Sequence, residues 1–204
     1  MGNLINNKNE KDITKNEIIE SKESKHKEKE GNKNITNKYK IIFLGDSGIG
    51  SKTSLIKRMN HNVFTPNITN KNSCSFVSKS IKIKNGKKII MNFWDINGHE
   101  IFRNLTKKFL ENSDCVVLGY DVTNINSFKN IQDFWYKFSK DNSGTNLIYL
   151  IGNKIDLINE RKVEKDIARS FAEKNNMKYF EISCATSEGV QEFFDDLKNE
   201  LFRK

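Results

Sequence analysis

The chain has 204 residues, room for one domain of ordinary size, and no apolar run approaching the length of a membrane span. Its 35 Lys and Arg against 26 Asp and Glu give a net charge of +9, yet the lysines are mixed with glutamates, without an Arg-rich stripe or interleaved aromatics, so no nucleic-acid partner is expected. Cys74, Cys115 and Cys184 lack paired spacing, which speaks against a disulfide framework or zinc site, and no secretory signal opens the chain, so a cytoplasmic protein with reduced thiols is expected.

Residues 1–38 are rich in Lys, Asn and Glu and nearly free of large apolar groups. Such a segment cannot bury enough surface to offset its ordering entropy. It is expected to be a disordered extension, with residues 39–204 as the folded domain. KIIFLG (40–45) reads as a buried strand running into a Gly-rich loop, and Thr53 to Asn60 continues as a helix. FVSKSIKIKNGKKIIMNFWD (76–95) holds two strands around Asn85-Gly86, a two-residue hairpin signal. CVVLGYD (115–121) and NLIYLIG (146–152) are continuous apolar runs, as central strands covered on both faces require, and MKYFEIS (177–183) is a third strand. Helical periodicity occupies 127–140, 164–175 and 190–202. Strands separated by helices predict an α/β fold, a mostly parallel sheet with helices on both faces and ligands outside the carboxyl ends of the strands.

Chemistry-bearing residues follow four strand ends. After the first comes Gly45-Asp-Ser-Gly-Ile-Gly-Ser-Lys52-Thr53. Its glycines let backbone N–H groups converge on phosphate oxygens, and the following helix N-terminus adds its positive end. Lys52 is placed to reach terminal phosphates as a point charge, and the Thr53 hydroxyl to ligate Mg²⁺. The usual spacing is G-x-x-x-x-G-K-[ST], and here Ser51 stands between Gly50 and Lys52. A second strand ends in Trp94-Asp95-Ile96-Asn97-Gly98-His99-Glu100. Asp95 can hold Mg²⁺ through water there, and Gly98 can offer its N–H to a terminal phosphate. A third ends in Asn153-Lys154-Ile155-Asp156. A motif of Asn and Lys arises readily in this composition, so its position carries the weight. The Asp156 carboxylate can accept two hydrogen bonds from guanine N1–H and the exocyclic amine, which adenine cannot supply in that arrangement. The fourth end, Ser183-Cys184-Ala185, can present a backbone N–H to the guanine carbonyl.

The ordered set GDSGIG-(S)-KTSL, WDINGHE, YDVTNINSF (120–128), IGNKIDL (151–157) and FEISCATSEGV (180–190) resembles the small GTPases of the Ras superfamily, most of all the Rab branch. The resemblance covers 39–204. It implies a P-loop GTPase fold of six strands, five of them parallel, flanked by five helices. It also implies GDP and GTP binding with Mg²⁺, two switching loops and GTP hydrolysis. The implied nucleotide contacts are Ser47, Gly48, Ile49, Gly50, Ser51, Lys52, Thr53, Ser54, Asp95, Gly98, Asn153, Lys154, Asp156, Ser183, Cys184 and Ala185. The implied metal ligands are Thr53, Asp95 and Thr69, and the implied catalytic residues are Lys52 and His99.

Four departures from the family pattern bear on mechanism. Reading KTSLIKR from Lys52 restores that pattern, so Ser51 is an insertion, expected to be absorbed as a bulge at the loop–helix junction. If it were not absorbed, Lys52 would turn off the phosphates, at a cost of about 1.5–3 kcal/mol. His99 stands where the family has a Gln that orients the attacking water, and imidazole cannot present donor and acceptor in the amide's geometry; slow hydrolysis is expected. No Thr-Ile-Gly occurs in 60–75, leaving Thr69, Asn72 and Ser73 as candidates for the switch I metal ligand. The chain ends ELFRK without the prenylated cysteines usual in Rabs, while Gly2 is a candidate for N-myristoylation. Expected partners are effector, exchange-factor and GTPase-activating proteins, with a monomer on the cytosolic face of an endomembrane. The resemblance places an aromatic effector surface at Trp94, Phe109 and Val77, or at Phe76 if the register shifts by one.

Overall fold

The computed structural model describes residues 35–203 except 50, 67–71 and 83–87. The strands are β1 (Ile35–Leu44), β2 (Cys74–Lys82), β3 (Lys88–Ile96), β4 (Cys115–Asp121), β5 (Ile148–Asn153) and β6 (Lys178–Ile182). They form one sheet in the order β2-β3-β1-β4-β5-β6. β4 runs parallel to β1 and β5, and β5 parallel to β6, while β2 is antiparallel to β3. The helices are α1 (Ser51–His61), α2 (Arg103–Leu110), α3 (Ile125–Asn130, then a π-helical segment Ile131–Trp135, then Tyr136–Ser143), α4 (Lys165–Lys174) and α5 (Val190–Phe202). This is the six-stranded, five-helix P-loop GTPase architecture that the resemblance implies.

Alternation along β1 shows why the sheet needs two covering layers. Ile41 and Phe43 point to one face, where they meet Leu55 and Ile56 of α1 and Phe193 and Leu197 of α5. Ile42 and Leu44 point to the other, among Leu110 of α2, Phe128 and Trp135 of α3, and Ala168 of α4. β4 and β5 are buried at every position, which is why their sequences read as unbroken apolar runs. Phe193 is fully buried, with its ring 5.3 Å from Tyr149 and 5.8 Å from Phe180, centroid to centroid. Phe193→Ala is therefore expected to destabilise the fold by about 3–5 kcal/mol, read from urea unfolding midpoints. A loss under about 1 kcal/mol would mean that this layer of the core is not packed as described.

Three elements differ from the expectations above. β1 begins at Ile35, inside the segment expected to be disordered, because ladder bonds need only backbone groups and a strand can outrun its apolar stretch. α2 lies outside the periodic segments: it is amphipathic, with Thr106 and Leu110 buried and Phe109 packed against the core, but its eight residues are too few for a helical period to stand out. The Asn85-Gly86 turn lies outside the described residues; the antiparallel pairing of the flanking strands runs from Cys74↔Ile96 to Lys82↔Lys88, one residue off the register that a two-residue turn at 85–86 imposes.

A candidate guanine-nucleotide site

β1, β3, β4, β5 and β6 deliver their carboxyl ends to one rim of the sheet. Gly45 follows β1 at φ +139°, and a Cβ built there would stand 2.3 Å from Gly119 O, so the loop can start only with glycine. α1 then opens at Ser51, with Lys52 and Thr53 in its first turn. Lys52 is 6% exposed, and its Nζ donates to the carbonyls of Gly45 (2.7 Å) and Asp46 (2.6 Å). Burial pushes this ammonium down to about 8, against the opposing pull of Asp95 and Asp46. A desolvated cation laid across its own loop is placed for phosphate oxygens.

The extra residue opens the helix. Ser51 is the first residue of α1 and is buried, with its side chain toward Gly119 of β4. Ser51 thus stands at the loop–helix junction with its side chain turned to the sheet, so only its backbone faces the phosphate loop. Ile49 is also buried, which leaves its backbone as the group that can meet a ligand. Gly50 lies outside the described residues.

Asp95, 2% exposed, sits near the end of β3, where the Thr53 hydroxyl donates to its Oδ2 at 2.5 Å. Among the described residues no group of three His, Cys, Asp or Glu side chains forms a metal cage. Mg²⁺ does not need one, since it is commonly held by one or two protein oxygens together with substrate phosphates. A hydroxyl beside a buried carboxylate, next to the phosphate loop, suits that ion. Thr69 lies outside the described residues. The other two switch I candidates have their carbonyls engaged: Asn97 Nδ2 donates to Asn72 O (3.2 Å) and Asn97 N to Ser73 O (2.9 Å).

Gly98 packs directly on the loop, where a Cβ would stand 2.1 Å from Gly45 O and 2.8 Å from Ser47 N. His99 beside it is exposed and serves its own turn. Its Nδ1 accepts the Ile101 N–H at 3.4 Å at the start of the 3₁₀ turn Glu100–Phe102, and its backbone N–H reaches Asn97 Oδ1 at 3.1 Å.

At the other end, three loops lace together. Asn153 Oδ1 accepts the Cys184 N–H (3.0 Å), and Asp156 Oδ1 accepts the Ser183 hydroxyl (2.5 Å), which itself accepts the Thr186 N–H (3.0 Å). Lys154, at φ +73°, pairs with Asp121 Oδ2 at 2.6 Å, and Asp121 Oδ1 holds the Thr123 N–H and hydroxyl. Burial pushes the Cys184 thiol up to about 12, so it is a packing group here. These residues wall a cleft of about 290 Å³ that extends to Gly48 and Ser54. Gly48, Ser54, Asn153, Lys154, Asp156, Cys184 and Ala185 line it, while Ser183 is buried behind it.

The cleft also contains residues that the motifs did not single out. Phe64 lines its mouth with Thr65 and Pro66, offering an aromatic face on which a purine can stack. Arg58 of α1 ties that mouth together: its Nε and Nη2 donate to Cys184 O (2.8 Å) and Ala185 O (3.0 Å), and its guanidinium lies 6.0 Å from the Phe64 ring centre. The lone aromatic in the polar stretch NHNVFTPN was the available signal for Phe64; nothing local marked Arg58. Asp46 of the loop accepts from Trp135 Nε1 (2.9 Å) and Asn130 Nδ2 (2.7 Å). Those two residues are five apart, about 140° around an α-helix. The π segment of α3 brings both to one carboxylate.

On the outer face, Phe76 and not Val77 joins the aromatic group. Its ring centre is 4.7 Å from that of Trp94, which is 5.1 Å from that of Phe109. Val77, opposite Phe93, turns to the other side of β2 and packs against the core. Alternation along a strand permits only one of the two neighbours to face outward.

The Ras family model matches residues 40–203. Human Ras-related protein Rab-30 is 33% identical over 159 residues, covering 78% of this chain and 77% of its own. Ras-related protein Rab-1 of Theileria annulata is 37% identical over 164 residues (80% and 74%), and Ras-related protein Rab-13 of the dog 34% over 167 (81% and 81%). With the phosphate loop, the Thr53–Asp95 pair and the base-side lacing on one rim, the chain belongs to the Ras family as a divergent Rab-like small GTPase.

Proposed function

We propose that this protein is a guanine-nucleotide switch that binds GDP and GTP with Mg²⁺, hydrolyses GTP slowly and acts in vesicle traffic at the cytosolic face of an endomembrane. The observation that carries the reading is the Asp156–Ser183 bond. It fixes the carboxylate at the cleft wall through Oδ1 and leaves Oδ2 for guanine N1–H and amine. Phe64 supplies a stacking face, and the Cys184 and Ala185 loop supplies backbone N–H groups for the base carbonyl. Lys52, Thr53 and Asp95 take the phosphate end, where Thr53 and Asp95 would hold Mg²⁺. That ion supplies charge neutralisation to the phosphates when bound.

Slow turnover follows from His99, whose imidazole caps its own turn and lacks the amide's paired donor and acceptor. His99→Gln is expected to raise single-turnover GTP hydrolysis; a fall would show that the imidazole takes part in the chemistry. Phe76, Trp94 and Phe109 form the proposed effector face, and exchange-factor and GTPase-activating proteins would meet the adjoining switches. Membrane association would use an acyl group on Gly2, which lies outside the described residues. Among the described residues, no helix is long and apolar enough to cross a membrane. The test is release and chromatography of nucleotide from purified protein, with phosphate release measured alongside. Stoichiometric guanine nucleotide and measurable turnover are expected; an empty, well-folded protein would favour a scaffold that never cycles.

A further inference from the structure

We propose that Gly119 of β4 is a positioning residue that makes the phosphate loop compatible with its inserted serine. The proposal rests on the reading of the cleft as a guanine-nucleotide site. Ser51 is 1% exposed, and its Oγ has no hydrogen-bond partner among the described residues. A Cβ built on Gly119 would stand 2.7 Å from Ser51 Oγ and 3.2 Å from Ser51 Cβ. Rotating the hydroxyl relieves the first contact. It cannot relieve the second, because the helix backbone fixes that Cβ. Gly119 lies on the same face of β4 as Val117, the face that α1 covers.

The loop closes on this strand residue from both ends. At its start, the Cβ that Gly45 lacks would strike Gly119 O at 2.3 Å; at its end, Ser51 fills the space that the Gly119 side chain leaves open. The inserted residue thereby becomes the inward-facing first residue of α1. The next two residues still reach their stations, Lys52 over Gly45 O at 2.7 Å and Thr53 beside Asp95 at 2.5 Å. A branched side chain at 119 would push Ser51 outward and carry Lys52 and Thr53 with it. Conversely, a loop without Ser51 would leave a void against β4 that glycine cannot fill. The serine and the glycine are thus matched, and neither is a defect while the other is present.

The test uses four full-length proteins: the unaltered chain, Gly119→Val, deletion of Ser51, and both changes together. GDP affinity in Mg²⁺ and the melting temperature of the nucleotide-free protein are measured for each. Gly119→Val alone is expected to weaken GDP binding by about tenfold or more and to lower the melting temperature. In the Ser51-deleted chain the same substitution is expected to raise both. Equal effects in the two backgrounds, or a deletion that tightens GDP binding without any change at 119, would overturn the proposal. No GDP binding by any of the four would overturn the nucleotide reading, and the melting temperatures would still decide whether Ser51 and Gly119 are paired.

Discussion

Asp156→Ala will weaken GDP binding by about 10²–10⁴-fold while leaving the affinity for inorganic pyrophosphate nearly unchanged. The substitution removes two charge-assisted hydrogen bonds to the base, each worth about 1.5–3 kcal/mol. The Ser183 hydroxyl is deprived of its acceptor at the same time, which loosens the turn to Thr186 that presents the Cys184 and Ala185 backbone. Discrimination between GDP and ADP is expected to fall with it, since the carboxylate is the group proposed to read the guanine amine. Competition titrations with GDP, ADP and pyrophosphate separate these effects. An equal loss for all three would mean that Asp156 supports the whole loop cluster and does not read the base.

Lys52→Met has the second large effect, and its sign differs between two readouts. Nucleotide affinity is expected to fall about ten- to a hundredfold for each charge-assisted bond to phosphate that the ammonium no longer makes. The nucleotide-free protein, by contrast, is expected to melt at the same temperature or higher. Burial already holds the ammonium well below its ordinary range, so the free protein carries an unfavourable desolvation that methionine removes. The Gly45 and Asp46 carbonyls are left without this donor, and that offsets part of the gain. A variant that melts much lower while still binding GDP would show that Lys52 is a brace for its loop, with no phosphate role.

Much of this architecture is legible in the chain alone. β4 and β5 announce themselves because strands covered on both faces must be apolar at every position, and the NKID motif gains meaning from following β5. The parallel order of β1, β4, β5 and β6 follows from strand–helix alternation and the handedness of its connections. Other features left no local mark. α2 is amphipathic but only eight residues long, too short for its period to stand out. Whether Val77 or Phe76 faces outward depends on a one-residue register that the sequence satisfies either way, and the pairing Phe76↔Trp94 decides it. Arg58 acts through carbonyls 126 and 127 positions away, a contact no spacing rule contains. Ser51 is the sharpest case: its insertion is visible as a break in spacing, but its accommodation is written in a glycine on another strand.

At the centre stands the proposal that Lys52 grips the phosphates of the nucleotide whose guanine Asp156 reads. Calorimetric titration of nucleotide-free protein with GDP and with ADP in Mg²⁺ tests this most directly. One GDP per chain is expected, with ADP weaker by about a thousandfold or more. Equal binding of the two nucleotides, or binding of neither by a folded protein, would contradict it.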